Sequence, residues 1–314
     1  MTGTAHTTET DLLVVGGGPA GCAAVVMAAG VGMRTLLLEA RSELCGRLRH
    51  VRSLENVLGG FASGPEFAAA AAADVARSAG CRVELGARVV RLDARDDRVV
   101  ATLESGGSRT AAHAVVATGT GPLGPADTDW LHDPEGLARA PLWEADPAAW
   151  EGRTVLVLGA DRPLGTLLRA DPTARVRFLV AHPPEDDYKT AEVRADPRVE
   201  PVPVRRVALG SDRRRRIAVT ITTAAGDTLS RTAEGAYLNI GNAPVLLPGD
   251  LVPDSTGWCP PDRQHPRIHV AGDLRSARAQ RIMTAMGSGG EAALRAYYAL
   301  CGVPDRSARP ERPE

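Results

Sequence analysis

A chain of 314 residues, 44% hydrophobic and 24% charged with a formal net charge of −1, has an ordinary globular composition and is long enough for two domains. Its balanced charge provides no field to gather nucleic acid or an anionic membrane surface, so neither is expected as a partner. The five cysteines, Cys22, Cys45, Cys81, Cys259 and Cys301, include no CxxC pair and no metal-ligand spacing. No metal is therefore expected, and the wide, odd set of thiols fits a reduced, cytoplasmic protein.

In chain order, Met1–Thr10 reads as a disordered tail without a signal-peptide pattern. Leu12–Val15 is a buried strand that runs into GxGxxG at Gly16, Gly18 and Gly21. A helix of small residues follows, through Pro19 and Ala20; its apolar stretch, Ala20–Val31, is too short to span a bilayer. A second strand, Thr35–Leu38, ends at Glu39 and Ala40. The first glycine permits a tight turn, the second lets a pyrophosphate reach the backbone, and the third lets helix and strand pack closely. The helix N-terminus offers unpaired N–H groups to phosphates. Glu39, about twenty residues on, stands where an acid accepts from a ribose hydroxyl. Further on, His113–Gly121 is a strand running into Ala117-Thr118-Gly119.

The middle third opens with a linker, Gly121–Pro125, and holds strands at Val155–Leu158, Val176–Ala181 and Ile217–Thr223. Arg213–Arg216 reads as a solvated hairpin rim, and Ala233–Ala236 as the return crossing. Thr154–Leu168 begins like a second nucleotide turn, but Asp161 stands where a second glycine belongs and Pro163 follows two residues later. A carboxylate a few ångströms from a phosphate in a half-buried turn costs on the order of several kcal/mol, and proline lacks an N–H donor. After the return, a strand from Arg267 ends at Gly272-Asp273, a helix begins near Thr284, and Ser307–Glu314 reads as a disordered tail.

The N-terminal unit, Ala117-Thr118-Gly119 and the distal Gly272-Asp273 together resemble the low-molecular-weight thioredoxin reductases, flavoproteins of the pyridine nucleotide-disulfide oxidoreductase superfamily. The resemblance implies an α/β fold of two Rossmann-like dinucleotide-binding domains. An FAD domain, residues 1–122 and 237–314, would be split around an inserted NAD(P)H-domain-like unit, residues 123–236. It also implies FAD as cofactor and a homodimer. Gly16, Gly18 and Gly21, with Pro19 and Ala20 between them, would hold the pyrophosphate, and Glu39 with Ala40 the adenosine ribose. Cys45-Gly46-Arg47-Leu48 stands for the family's Gly-Gly-Gln-Leu beside the flavin, and Glu55-Asn56 for its Glu-Asn. Val89 would meet adenine through its backbone. Ala117, Thr118, Gly119 and Gly272 would line the cofactor, and Asp273 would bind the ribityl chain. Gln280, Arg281 and Ile282 would face the pyrimidine edge, with the following helix aimed at the flavin O2 region.

The family pattern breaks in the insert. Its Cys-x-x-Cys-Asp falls on Leu142-Trp143-Glu144-Ala145-Asp146, so both sulfurs are gone, and disulfide exchange needs two thiols. Its His-Arg-Arg clamp for the NADPH 2′-phosphate reads His182-Pro183-Pro184, followed by Glu185, Asp186 and Asp187.

These readings lead to an FAD-dependent oxidoreductase that acts directly on a small molecule, an oxidase or dehydrogenase of specialised metabolism. Hydride would pass from substrate to flavin, and O2 would serve as acceptor. The alternatives are an NAD(P)H- or ferredoxin-linked flavin reductase and a non-catalytic FAD-binding partner protein. No catalytic group is assigned. The candidates are Cys45, placed by the resemblance near the flavin; His50 and His132, as acid–base groups; and Trp143 and Glu144, as residues facing flavin or substrate. Cys45 is read first as a small residue standing for glycine, and Trp143 equally as an interdomain packing residue. Cys22, Cys81 and Cys301 are read as inert core thiols.

Overall fold

The computed structural model describes residues 10–303 except Arg215. The two tails read as disordered lie outside these residues, apart from Thr10. The chain forms two compact units. The first takes the chain up to Arg49, Leu54–Thr120 and the part from Pro244 onward; the second takes His50–Ser53 and Gly121–Ala243. The return crossing therefore lies seven residues later than the expected 236/237 boundary. The cause is that Gly235–Leu238 is not a connection. It pairs in parallel with Thr154–Leu158, from Val155 opposite Gly235 to Leu158 opposite Leu238, and so belongs to the inserted sheet.

In the first unit five parallel strands lie in the order Ile268–Val270, His113–Val116, Leu12–Val15, Thr35–Glu39, Cys81–Leu85. The central strand, Leu12–Val15, is apolar without interruption because both faces of the sheet are covered. Alternate residues divide between the faces. Leu12, Val14 and Leu37 join the helices Pro19–Gly30, Gly64–Arg77 and Ile282–Leu300 in one core. Leu13, Val15, Leu36 and Leu38 join a three-stranded antiparallel sheet, Val89–Ala94, Val99–Leu103 and Ser108–Ala111, in the other.

Small residues let the first and last helices touch through their backbones. A Cβ on Gly289 would lie 2.0 Å from the carbonyl oxygen of Ala20. Cys301, expected in the core, is instead exposed, because it follows the last residue of the final helix; Cys81 is half-buried.

The second unit carries parallel strands Thr154–Leu158, Arg177–His182 and Gly235–Leu238. The long strand Val199–Ser211 pairs in parallel with Arg177–His182 through its first residues. Through the rest it pairs antiparallel with Ile217–Thr223, which in turn pairs with Thr228–Ala233. Arg213 and Arg214 are exposed at the hairpin tip, as expected, where the Asp212 carboxylate accepts the backbone N–H groups of Arg214 and Arg216; Arg215 lies outside the described residues. His132 stands exposed on the short strand Leu131–His132 beside the long strand. Among the described residues no helix is long and apolar enough to cross a membrane.

Because Gly289 meets fixed backbone rather than a yielding side chain, Gly289→Ala should push the first and last helices apart. The expected loss is about 1–3 kcal/mol, the usual range for overpacking. Urea unfolding followed by far-UV circular dichroism checks it. FAD retention should fall in parallel, because the displaced element is the helix that opens at Pro19.

Candidate functional site

The first turn is built by close backbone approach. Gly16 has φ +104°, and a Cβ there would lie 2.4 Å from Ala117 O; one on Gly21 would lie 1.9 Å from Gly16 O. A Cβ on Gly18 would meet nothing within 4 Å, so this peptide is the one open to an incoming phosphate. Gly18 is also the extended N-cap of the helix that begins at Pro19. Both carboxylate oxygens of Glu39 accept backbone N–H groups, from Gly17 at 2.6 Å and Arg41 at 2.8 Å. The acid is thereby fixed at the mouth of the turn, with lone pairs left over for a ribose. Ala40 follows at the strand end, half-buried. Thr118 donates its hydroxyl to Val245 O at 2.7 Å, and Gly119 takes φ +66°. Val89 is buried at the start of the antiparallel sheet, opposite Leu103.

The far end of the chain returns to the same place. The Gly272 N–H donates to Ser288 Oγ at 2.8 Å, and a Cβ on Gly272 would lie 2.9 Å from the Ala20 methyl. Burial raises the Asp273 carboxyl above the ordinary carboxylate range, and the Arg47 guanidinium opposes that rise. Arg47 is itself anchored on Thr120, donating to its carbonyl at 2.7 Å and its hydroxyl at 2.9 Å. Gln280 Nε2 donates to Ser276 O at 3.0 Å and Asp273 O at 3.4 Å, and Arg281 caps the helix that starts at Ile282. Gly46 leaves room for the Arg41 side chain, which a Cβ would meet at 2.8 Å, and Leu48 packs on the helix-side core. Glu55 and Asn56 lie exposed on a loop.

Of the catalytic candidates, Cys45 is buried, with φ +55° and its N–H donated to Gly17 O at 2.8 Å. This left-handed backbone is one that glycine adopts freely and other residues rarely, which agrees with a sulfur standing in a glycine's place. Its Sγ lies 3.8 Å from that of Cys22. Cys22 is buried as expected, but the sequence reading had no sign of this contact. The hydrogen bond from Cys22 holds Cys45 below the ordinary thiol range against the effect of burial, and Arg49 adds to the lowering; Cys22 is pushed up by the same contact and by burial. His50 and Trp143 meet edge-on, ring centres 4.6 Å apart, within the second unit. Arg52 binds Ala145 O at 3.0 Å and Asp146 Oδ1 at 3.3 Å. Glu144 is exposed, while Leu142 and Ala145 are core residues, 0% and 2% exposed.

The second turn copies the frame of the first. Gly159 has φ +103°, and a Cβ there would lie 2.3 Å from Asn239 O, just as Gly16 meets Ala117. The filling differs. Asp161 donates its N–H to Asn239 O at 3.1 Å, and the Asn239 amide donates to Asp161 O at 2.7 Å and Gly159 O at 3.3 Å. The peptide that should meet phosphate is thus tied across the turn. Leu164, buried, replaces the third glycine, and the helix Pro163–Ala170 is only 8 residues long.

One expectation is corrected. Pro163 is the first helical residue, as Pro19 is in the first turn, and an N–H at that position has no helical partner anyway. Its missing donor therefore does not distinguish the two turns. By strand register His182 follows Ala181 as Glu39 follows Leu38, so a fully buried histidine replaces the ribose acid. Its Nδ1 sits 2.8 Å from Pro183 O, and its Nε2 has no hydrogen-bond partner among the described residues. Of the acids that follow where the family has its cationic clamp, Asp186 pairs with Lys189 at 2.8 Å and Asp187 with Arg194 at 2.6 Å.

Two parallel-sheet dinucleotide frames in one chain, the first open to phosphate at Gly18, define a thioredoxin reductase-like fold. Residues 10–127 match the family described as pyridine nucleotide-disulphide oxidoreductase. The thioredoxin reductases of Lactococcus lactis and T. acidophilum superpose with TM-scores of 0.75 and 0.77, each at 20% identity over 93% of this chain and 99% of theirs. The bacillithiol disulfide reductase of Bacillus cereus superposes with a TM-score of 0.70 at 17% identity, over 92% of this chain and 99% of its own. An alkyl hydroperoxide reductase protein of Staphylococcus aureus is 24% identical over 91% of this chain; the chain spans 58% of that relative's length. FAD is the cofactor of this family. The residues present fit it: an open Gly18 at a helix N-terminus, a fixed acid at Glu39, and a buried carboxyl at Asp273.

Purified protein should be yellow with FAD. Asp273→Ala should weaken FAD binding by roughly ten- to hundredfold, the equivalent of ~1.5–3 kcal/mol for a hydrogen bond to a charged group. Equilibrium dialysis against FAD reads the change. An unchanged affinity removes Asp273 from the site.

Proposed function

We propose that the protein is an FAD-dependent oxidoreductase that acts directly on a small molecule, an oxidase or dehydrogenase of specialised metabolism with O2 as acceptor. The observation that carries this reading is the second turn, where the Asp161 N–H, the donor a dinucleotide phosphate would need, is given to Asn239 O at 3.1 Å and buried His182 replaces the ribose acid. Leu142 and Ala145, core residues without sulfur, support the absence of a dithiol relay.

Bound FAD supplies the two-electron redox chemistry. The chain's own residues hold and orient it. The N–H groups at the helix N-terminus behind Gly18 receive the pyrophosphate, and Glu39 accepts from the adenosine ribose. Asp273 takes the ribityl hydroxyls, in a buried place where a charge-assisted hydrogen bond is strong. Arg47, anchored on Thr120, sets the charge beside that carboxyl. Gln280, tied to Asp273 O and Ser276 O, fixes the loop before the last helix, whose positive end favours negative charge at the pyrimidine edge.

Anaerobic stopped-flow mixing tests the nicotinamide half of the proposal. NADPH and NADH should leave the flavin absorbance unchanged over seconds at sub-millimolar concentration, whereas a member of a metabolite panel should bleach it. Bleaching by NADPH on that timescale would replace this reading with a nicotinamide-linked reductase, and bleaching by nothing at all would favour a non-catalytic FAD protein. In a steady-state assay, oxidised thioredoxin should not be turned over with any of several reductants. Turnover abolished by Cys45→Ser would transfer the relay to that thiol.

A further inference from the structure

We infer that Cys22 and Cys45 form a reversible disulfide, an oxidation site beside the dinucleotide turn that takes a hydroperoxide as its oxidant. The two sulfurs stand 3.8 Å apart, and both residues are free thiols. A disulfide needs about 2.05 Å, so the sulfurs must close by about 1.8 Å. They come from elements that both lean on one peptide: Cys22 Sγ lies 3.5 Å from Gly17 O, and the Cys45 N–H donates to the same oxygen at 2.8 Å. Helix and loop are thus held together by the backbone of the turn, and the thiols meet above it. Cys45 carries its side chain at φ +55°, where glycine would be the relaxed choice, so the sulfur sits there at a conformational cost.

The other titratable groups around the pair are Glu39, Arg49 and Cys81. Arg49, which also pairs with Glu43 at 2.8 Å, favours the Cys45 thiolate, and Cys45 is therefore assigned as the attacking sulfur and Cys22 as the resolving one. Both residues are 4% exposed or less, which restricts the oxidant to a small molecule. The chemistry balances. The Cys45 thiolate attacks the terminal oxygen of the hydroperoxide, the O–O bond breaks, and Cys45 sulfenic acid forms with release of an alcohol, or of water from hydrogen peroxide. Cys22 sulfur then attacks Cys45 sulfur, the S–O bond breaks, and one water leaves as the disulfide forms. Two thiols lose two hydrogens and the peroxide is reduced.

The test treats the FAD-loaded full chain with hydrogen peroxide, quenches with acid, alkylates free thiols under denaturing conditions and digests with trypsin. Cleavage after Arg34, Arg41 and Arg47 separates Met1–Arg34, which carries Cys22, from Ser42–Arg47, which carries Cys45. The expected product joins these two peptides and is released by dithiothreitol. The alkylated forms of both peptides should be lost in step. Cys22→Ser should abolish the joined product and let Cys45 proceed to sulfinic acid, because the resolving thiol is gone. The inference is overturned if wild-type protein returns both peptides as alkylated thiols. It is equally overturned if wild-type Cys45 reaches sulfinic acid unlinked, or if either cysteine links to Cys81, Cys259 or Cys301 instead. The wild-type map decides even if the serine variant folds poorly.

Discussion

The feature on which everything else rests is a backbone approach too close for any side chain, at the carboxyl end of a central strand. It occurs twice. In the first unit the N–H of Gly16 donates to Leu38 O at 2.8 Å and that of Ala117 to Val15 O at 2.8 Å, with no space for a Cβ between Gly16 and Ala117. In the second unit Gly159 donates to Ala181 O and Asn239 to Leu158 O, each at 2.7 Å, with the same exclusion between Gly159 and Asn239. Three parallel strands are locked together in each case, and the chain leaves the middle one at a positive φ that only glycine adopts without strain. This geometry opens a crevice beyond the strand ends, the usual ligand position in sheets of this kind.

Once that frame exists, the identity of a few residues decides whether the crevice is usable. In the first unit the peptide after the tight glycine is committed to Glu39 and the next one is open. In the second the corresponding peptides are closed by Asn239, at the place Ala117 holds in the first. A methyl cannot bridge the turn, and a carboxamide can. A dinucleotide entering the second crevice would have to break the hydrogen bond from the Asp161 N–H to Asn239 O before that donor could meet a phosphate. The cores do not register this difference. Val155, Val157 and Leu167 pack whether or not a phosphate binds, so the fold persists where the site does not.

Much of this was legible in the sequence because it is local. The strand, GxGxxG, helix, strand and acid of the first unit follow within thirty residues or so, and the distal Gly272-Asp273 is set by its own strand end. What escaped depends on register. Reading Ala233–Ala236 as a connection failed because Gly235–Leu238 is a strand only through its partner Thr154–Leu158. Pro163 looked damaging from spacing alone, although Pro19 occupies the same helical position in the intact turn. One signal was available: Val115–Gly119 and Tyr237–Gly241 share a strand end followed by glycine three residues on. Aligning them sets Asn239 against Ala117.

The contact between Cys22 and Cys45 had no such signal. One residue lies in the first helix and the other beyond the second strand, with a separation of 23 residues and no motif relating them. They meet because the first turn draws both elements onto the carbonyl of Gly17, a residue whose N–H is held by Glu39 and whose carbonyl receives Cys45. The tight turn therefore does more than admit a phosphate. By bringing a helix start, a strand end and a loop within hydrogen-bonding distance of one peptide, it makes neighbours of residues that sequence spacing leaves unrelated. Chemistry not written in any linear motif can arise there, because two sulfurs 3.8 Å apart in one buried pocket are within reach of each other.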